Sequence, residues 1–326
     1  MKQPLRTYLA IIAYTSLLTL FNTTHANSFE PYELNGGLVS AVAGQGYALI
    51  ASDTRLSRGY EILSRRATGR IWRASAEDGP DICDVAKELT DAGKDGDGRD
   101  NDCLLVKNIF DGALIATCGC LADCDALKRY LQNDIAVHTS SSSASKYFAS
   151  ENFLTAKSIN NVLGSMLYRR RSMPFYSFCV TAGLDEWSEL GNVHVFDAIG
   201  SHERVAVAAA GSGREMLQPI LDRLFSTSNL MEDDPHDFSS IKRDGNSVDV
   251  QEQTQGLLLC PPVRTHVACE MKDAIELLVH GYRSAAERDI NVGDEIIICA
   301  MEPCRGADDK TRGGKISIHK FPLKKH

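Results

Sequence analysis

The order in which apolar patterns change along the 326 residues constrains the fold more than any single motif. Short strand-like runs come first, then two helices, then strands, two more helices, and strands again. Residues 36–43 and 47–52 are small and apolar on either side of Gln45-Gly46, the pattern of a β-hairpin. Residues 71–74 and 113–120 read as further strands. From Asp123 the spacing turns helical, with Leu127, Leu131 and Ile135 four apart. A serine-rich break at 139–145 precedes a second helix, where Ile159, Val162, Leu163, Met166 and Leu167 form one stripe.

Residues 175–182 and 193–196 predict a second hairpin about a turn at 183–192, and 205–210 a further strand. Gly211-Ser212-Gly213 opens a third helix with Leu217, Ile220, Leu221, Leu224 and Phe225 on one face. A fourth carries Met271, Ile275, Leu278 and Tyr282, and strands at 295–301 and 315–320 close the chain. Helices with one apolar stripe need a sheet to cover, and several strands are apolar on both faces. Two central sheets with helices outside meet both demands, which makes the expected class α+β in four layers.

Two polar stretches, 76–102 and 228–265, read as insertions into that domain. The first carries Asp95, Asp97, Asp100 and Asp102 among glycines. It lacks the mid-loop Gly and closing Glu of a calcium loop at the required offsets. The net charge of -8 argues against a nucleic-acid partner, which favours a basic face.

Residues 1–26 have a charged start (Lys2, Arg6), an apolar centre from 8 to 21 and small residues before a cleavage point after Ala26. This is the make-up of a secretory signal peptide. A removable propeptide and an upstream extension of the coding region read equally well, and the leader is bounded at 1–28. The apolar run is short for a membrane span. The body at 29–326 reads as cytosolic. Its cysteines form no CxxC pair, and the Asn-x-Ser/Thr acceptor, Asn22, lies in the leader. Cys118, Cys120 and Cys124 lack a second Cys/His pair with zinc-like spacing, so no metal or cofactor is assigned.

An ordered set of short motifs resembles the proteasome β-subunit family. It begins with Phe29-Glu30-Pro31-Tyr32, Asn35-Gly36-Gly37 and Ala51-Ser52-Asp53-Thr54-Arg55-Leu56-Ser57. It continues through Tyr168-Arg169-Arg170, Pro174-Phe175-Tyr176, Gly183-Leu184-Asp185-Glu186, Phe196-Asp197 and Gly200-Ser201. Ala210-Gly211-Ser212-Gly213, Met216-Leu217-Gln218-Pro219 and Ser284-Ala285-Ala286-Glu287-Arg288-Asp289 complete it. More narrowly, the set resembles the non-catalytic members at the sixth position of the β ring. The resemblance implies the αββα fold of N-terminal-nucleophile hydrolases. It also implies assembly with other α and β subunits in a 20S core of stacked rings, with no nucleic acid or membrane as partner.

Active members of that family use an N-terminal threonine, its own amine, a lysine and an aspartate. Counted back from Asp53, the nucleophile position falls on Gly37, which has no hydroxyl; counted forward, the lysine position falls on Gly69. Arg65, Arg66 and Arg70 are near, but a guanidinium does not release a proton at neutral pH. Asp53 matches the aspartate, Asp289 a second supporting aspartate and Ser212 a supporting serine; the serine expected three residues beyond Asp289 is Val292. No catalytic residue is therefore assigned. The expected roles are structural: Asp53 paired with Arg55, Ser212 as a helix cap, Asp289 in a turn. Ser40 would need to stand at a new chain terminus to act as nucleophile.

Two other functions remain readable. One is an active N-terminal-nucleophile hydrolase, exported by the leader and using a residue such as Ser28. The other is a secreted binding protein with disulfides, against which the sparse cysteine spacing argues.

Overall fold

The computed structural model describes residues 32–65, 69–74, 82, 104–106, 113–141, 155–185, 189–227, 265–305 and 312–323. The chain divides into Met1–Glu33 and a larger unit, Leu34–His326. The leader through Pro31, with Asn22 and Ser28, lies outside the described residues. So do Arg66, Glu186 and nearly all of both insertions.

Six strands form one sheet in the order β11-β1-β2-β12-β13-β6. Its centre is β1 (Leu38–Gly44), β2 (Tyr47–Asp53) and β12 (Glu295–Arg305), flanked by β11 (Val207–Gly211), β13 (Arg312–Pro322) and β6 (Leu104–Val106). Five strands form a second sheet, β10-β9-β8-β7-β5. These are β10 (His202–Val205), β9 (Gly191–Phe196), β8 (Ser177–Leu184), β7 (Ala113–Gly119) and β5 (Ile71–Arg73). A small hairpin of β3 (Leu56–Arg58) and β4 (Glu61–Ser64) stands apart.

Every residue of β1, β2 and β7 is buried, because these strands have a covered layer on each face. Val39, Ala41, Ile50, Ala116, Val180 and Cys299 pack between the sheets, where small side chains let the layers approach. Two helices, α1 (Leu121–Ser141) and α2 (Ala156–Arg169), cover the five-stranded sheet. Leu127, Leu131, Ile135, Ile159, Leu163 and Leu167 are their buried stripe. On the other side α3 (Arg214–Thr227) and α4 (Met271–Ala286) cover the six-stranded sheet through Leu217, Leu221, Phe225, Leu278 and Tyr282. Each such side chain contributes about 1.5–3 kcal/mol on burial, so the stripes hold the four layers together. The expected αββα order is the observed one.

Local differences have physical causes. The run at 205–210 is two strands: β10 belongs to one sheet and β11 to the other, with a bend at Ala206. The second hairpin pairs two steps further than its turn-rich sequence implies, through Gly183↔Asn192 and Leu184↔Gly191. Helix α1 runs on through Ser141, into the serine-rich break. Helix α2 begins at a cap, with Thr155 Oγ1 accepting the Ser158 N–H at 3.0 Å. No helix among the described residues is long and apolar enough to cross a membrane.

Candidate functional site

The residues singled out in the sequence converge at the head of β1. Gly36 and Gly37 both have positive φ, +67° and +98°, a conformation that side-chain-bearing residues rarely adopt. The segment is tied down on three sides. Asn35 N–H donates to Gly119 O at 3.0 Å, and Asn35 Oδ1 accepts from Leu121 N–H at 2.9 Å, fixing it to the β7–α1 junction. Ser57 N–H donates to Asn35 O at 3.2 Å. Gly37 O accepts from Ser212 N–H at 3.1 Å and from Ser212 Oγ at 3.4 Å. Ser212 thus serves the Gly37 carbonyl. It stands one residue before the capping position of α3, which Gly213 occupies, so the expected cap is corrected.

Asp53, at the end of β2, is fully buried beneath this point. Its Oδ1 accepts from Leu38 N–H at 2.9 Å and its Oδ2 from Gly293 N–H at 3.4 Å. Its ion-pair partner is Arg70, Nη1 to Oδ1 at 3.2 Å, and not the expected Arg55. Burial pushes the Asp53 carboxyl up to about 6, against the opposing pull of Arg70, the two backbone donors and Arg55. Arg55, buried without exposure, instead clasps Asp294 through Nε and Nη2 at 2.8 and 3.2 Å and donates to Ile290 O at 2.8 Å. Arg65 adds a third contact to Asp294 at 3.1 Å. The turn after α4 is thereby clamped to the end of β2.

Arg70 is the residue that counting along the sequence missed. Gly69 is exposed in a turn, whereas Arg70 is buried. Its backbone carbonyl accepts from Thr117 N–H at 2.9 Å, which anchors it beside β7. Its Nη2 donates to Arg55 O. A Cβ built on Gly37 would coincide with the Arg70 guanidinium. A side chain at position 37 and the guanidinium of residue 70 therefore compete for one volume. Arg65, Arg66 and Arg70 could be seen near the position in the sequence, but which of them faces residue 37 could not.

The remaining residues have structural places. Asp289 Oδ1 accepts from Asn291 N–H at 2.9 Å, the turn role expected of it. Asn291 Oδ1 in turn accepts from Ser57 Oγ at 2.7 Å. Val292 is fully buried. Ser40 lies mid-strand with its hydroxyl 3.1 Å from the Tyr282 OH, away from any chain terminus. That buried tyrosine also donates toward Ala51 O at 3.1 Å and Leu38 O at 3.3 Å, bracing β1 against β2 from below. Burial raises its hydroxyl well above the ordinary range, so it acts as a neutral donor.

Beside Gly36 a cleft of about 850 Å³ opens between the sheets, lined by Gly119 and Phe178 of one and Gly211 of the other, with Ser212 and Arg214 following. Its wall mixes the rings of Tyr176, Phe178 and Phe196 with the polar side chains of Asp197, His202, Glu203 and Asn291.

Residues 100–237 match the family model described as proteasome subunit. A proteasome subunit beta type-1-B of Carassius auratus is 30% identical over 275 residues, 84% of each chain. A beta type-1 subunit of Dictyostelium discoideum is 30% identical over 269 residues, covering 82% of this chain and 81% of its own. That of Arabidopsis thaliana is 28% identical over 278 residues, covering 85% and 92%. The four layers, the anchored head of β1 and these likenesses lead to one conclusion: the chain belongs to the proteasome subunit family, among its β-type members.

Proposed function

We propose that the chain is a non-catalytic, structural β subunit of the 20S proteasome core, contributing to ring assembly and so to protein degradation by the particle. Its partners are other proteasome subunits, arranged in stacked α and β rings, in the cytoplasm and nucleus. The observation that carries the reading is the Gly37–Arg70–Asp53 arrangement. An acyl-enzyme pathway needs a nucleophile with a base beside it. Glycine brings no hydroxyl, and the space beside it holds a guanidinium paired to a carboxylate.

The test is covalent labelling of native particles by an electrophilic peptide that captures N-terminal threonines. The expected result is label on other subunits and none on this chain. Label on this chain would overturn the reading and revive an N-terminal-nucleophile hydrolase. The Gly37→Thr variant is expected to remain unlabelled, because its side chain displaces the Arg70 guanidinium from Asp53 and the lysine position still holds Gly69.

A further inference from the structure

The motif Tyr168-Arg169-Arg170 has no part in the site at Gly37, and the structure gives it a different setting. Helix α2 ends at Arg169, and three consecutive arginines, 169 to 171, emerge exposed. None of them makes an ion pair among the described residues. Two are immobilised on rings. The Arg170 guanidinium lies 4.6 Å from the Tyr130 ring and 4.6 Å from the Phe175 ring, while Arg171 lies 4.5 Å over Tyr168. Arg171 Nη1 also donates to Tyr168 O at 3.3 Å. Stacking on a ring face leaves the in-plane N–H donors of a guanidinium directed outward. The surround is apolar: Tyr130, Tyr168 and Met173 are 48%, 57% and 77% exposed.

One basic residue in the last turn suffices to complement a helix dipole. Three, two of them held rigid, are more than that role requires. Exposed Tyr, Met and Arg are the residues enriched at the cores of protein interfaces. Among the described residues no carboxylate neutralises the platform, so what covers it carries carboxylates. A polyanion such as RNA would meet a chain of net charge -8, and the basic patch here is only one turn long.

We propose that the platform of Arg169, Arg170 and Arg171 with Tyr130, Tyr168 and Met173 docks an acidic segment of a neighbouring proteasome subunit. Carboxylates of that segment take the forked donors of Arg170 and Arg171, and an apolar side chain beside them covers Met173. The inference rests on the structural-subunit reading and adds a contact surface to it.

The test uses the full chain in native particles. A photo-cross-linking benzoylphenylalanine at position 173 is expected to capture a peptide of another subunit with Asp or Glu at the captured stretch. Arg169→Glu/Arg171→Glu, which leaves the stacked Arg170 in place, is expected to enter particles about tenfold less than the unaltered chain. Arg169→Lys/Arg171→Lys keeps the charge but loses the fork of residue 171, and is expected to enter particles at a level between those of the Glu variant and the unaltered chain. Capture of a stretch without carboxylates, capture of nucleic acid, or equal incorporation of the Glu variant would each overturn the proposal. Where the unaltered chain enters particles and the Glu variant does so equally, only the docking surface falls. Where the unaltered chain is absent from particles, the structural-subunit reading falls with it.

Discussion

Two buried polar clusters in this molecule solve the same problem in opposite ways. At the head of β1, Asp53, Arg70, Arg55 and Asp294 bury full charges and satisfy them by ion pairs and backbone donors. Under α2, a neutral chain does the work: Thr181 Oγ1 donates to Asn160 Oδ1 at 2.7 Å, and the Asn160 amide meets His194 Nδ1 at 2.8 Å. Burying charge costs more than burying an amide, and removing one partner costs more still. The charged cluster gathers at the glycine head of β1, and the neutral one lies where a helix packs on a sheet. The contrast separates a site held by full charges from one held by neutral hydrogen bonds.

The largest expected effect breaks the charged cluster by steric means. Gly37→Ala forces the Arg70 guanidinium from its place and leaves Asp53 buried without its partner, costing about 3–5 kcal/mol in urea unfolding. Arg70→Ala alone is costly too, but the double variant is expected to be no worse than Arg70→Ala plus backbone strain of about 1–2 kcal/mol. Strict additivity of the two losses would show that residues 37 and 70 do not share one volume.

Asn160→Ala tests the neutral cluster. It strands a hydroxyl and an imidazole nitrogen, with an expected loss of about 1–3 kcal/mol. A loss equal to that at Gly37 would erase the distinction between the clusters. Tyr282→Phe, which removes one hydroxyl that bridges Ser40 and two backbone carbonyls, is expected to cost about 1 kcal/mol.

The smallest effect lies in pH dependence, and it has opposite signs in the two places. Burial raises Asp53 to about 6 from an ordinary 3.8, so its contribution is full below pH 4 and is lost as pH rises through 6. Burial, then His202 and Arg204, lowers His194 to about 4 from 6.5. Its contribution is full above pH 6.5 and is lost as pH falls through 4. The two offset each other across that window. Asp53→Asn is therefore expected to steepen the loss of stability on acidification, and His194→Gln to flatten or reverse it, in unfolding midpoints measured from pH 4 to 7.

The fold was legible because its helices carry clean stripes and its central strands are apolar on both faces. Leu127, Leu163, Leu217 and Leu278 all point inward as their spacing requires. The bend at Ala206 was not legible, since apolar residues run through it without a break. Neither was the β3–β4 hairpin, where exposed Tyr60 and Leu63 give no alternation to read. In the site, the nearness of the head of β1 to Asp53 could be read because one regular hairpin separates them. Arg70 could not, because a turn precedes it and a slip of one residue exchanges a side chain facing in for one facing out. The Arg55–Asp294 pair joins residues 239 apart, beyond the reach of any local pattern.

The bend at Ala206 has a mechanical consequence. A single run of backbone leaves one sheet as β10 and enters the other as β11, so the layers are sewn together by a covalent thread beside the cleft. Peeling either sheet away pulls directly on its neighbour, and amide protons of β9 and β1, on opposite sides of the seam, are expected to exchange in one concerted opening.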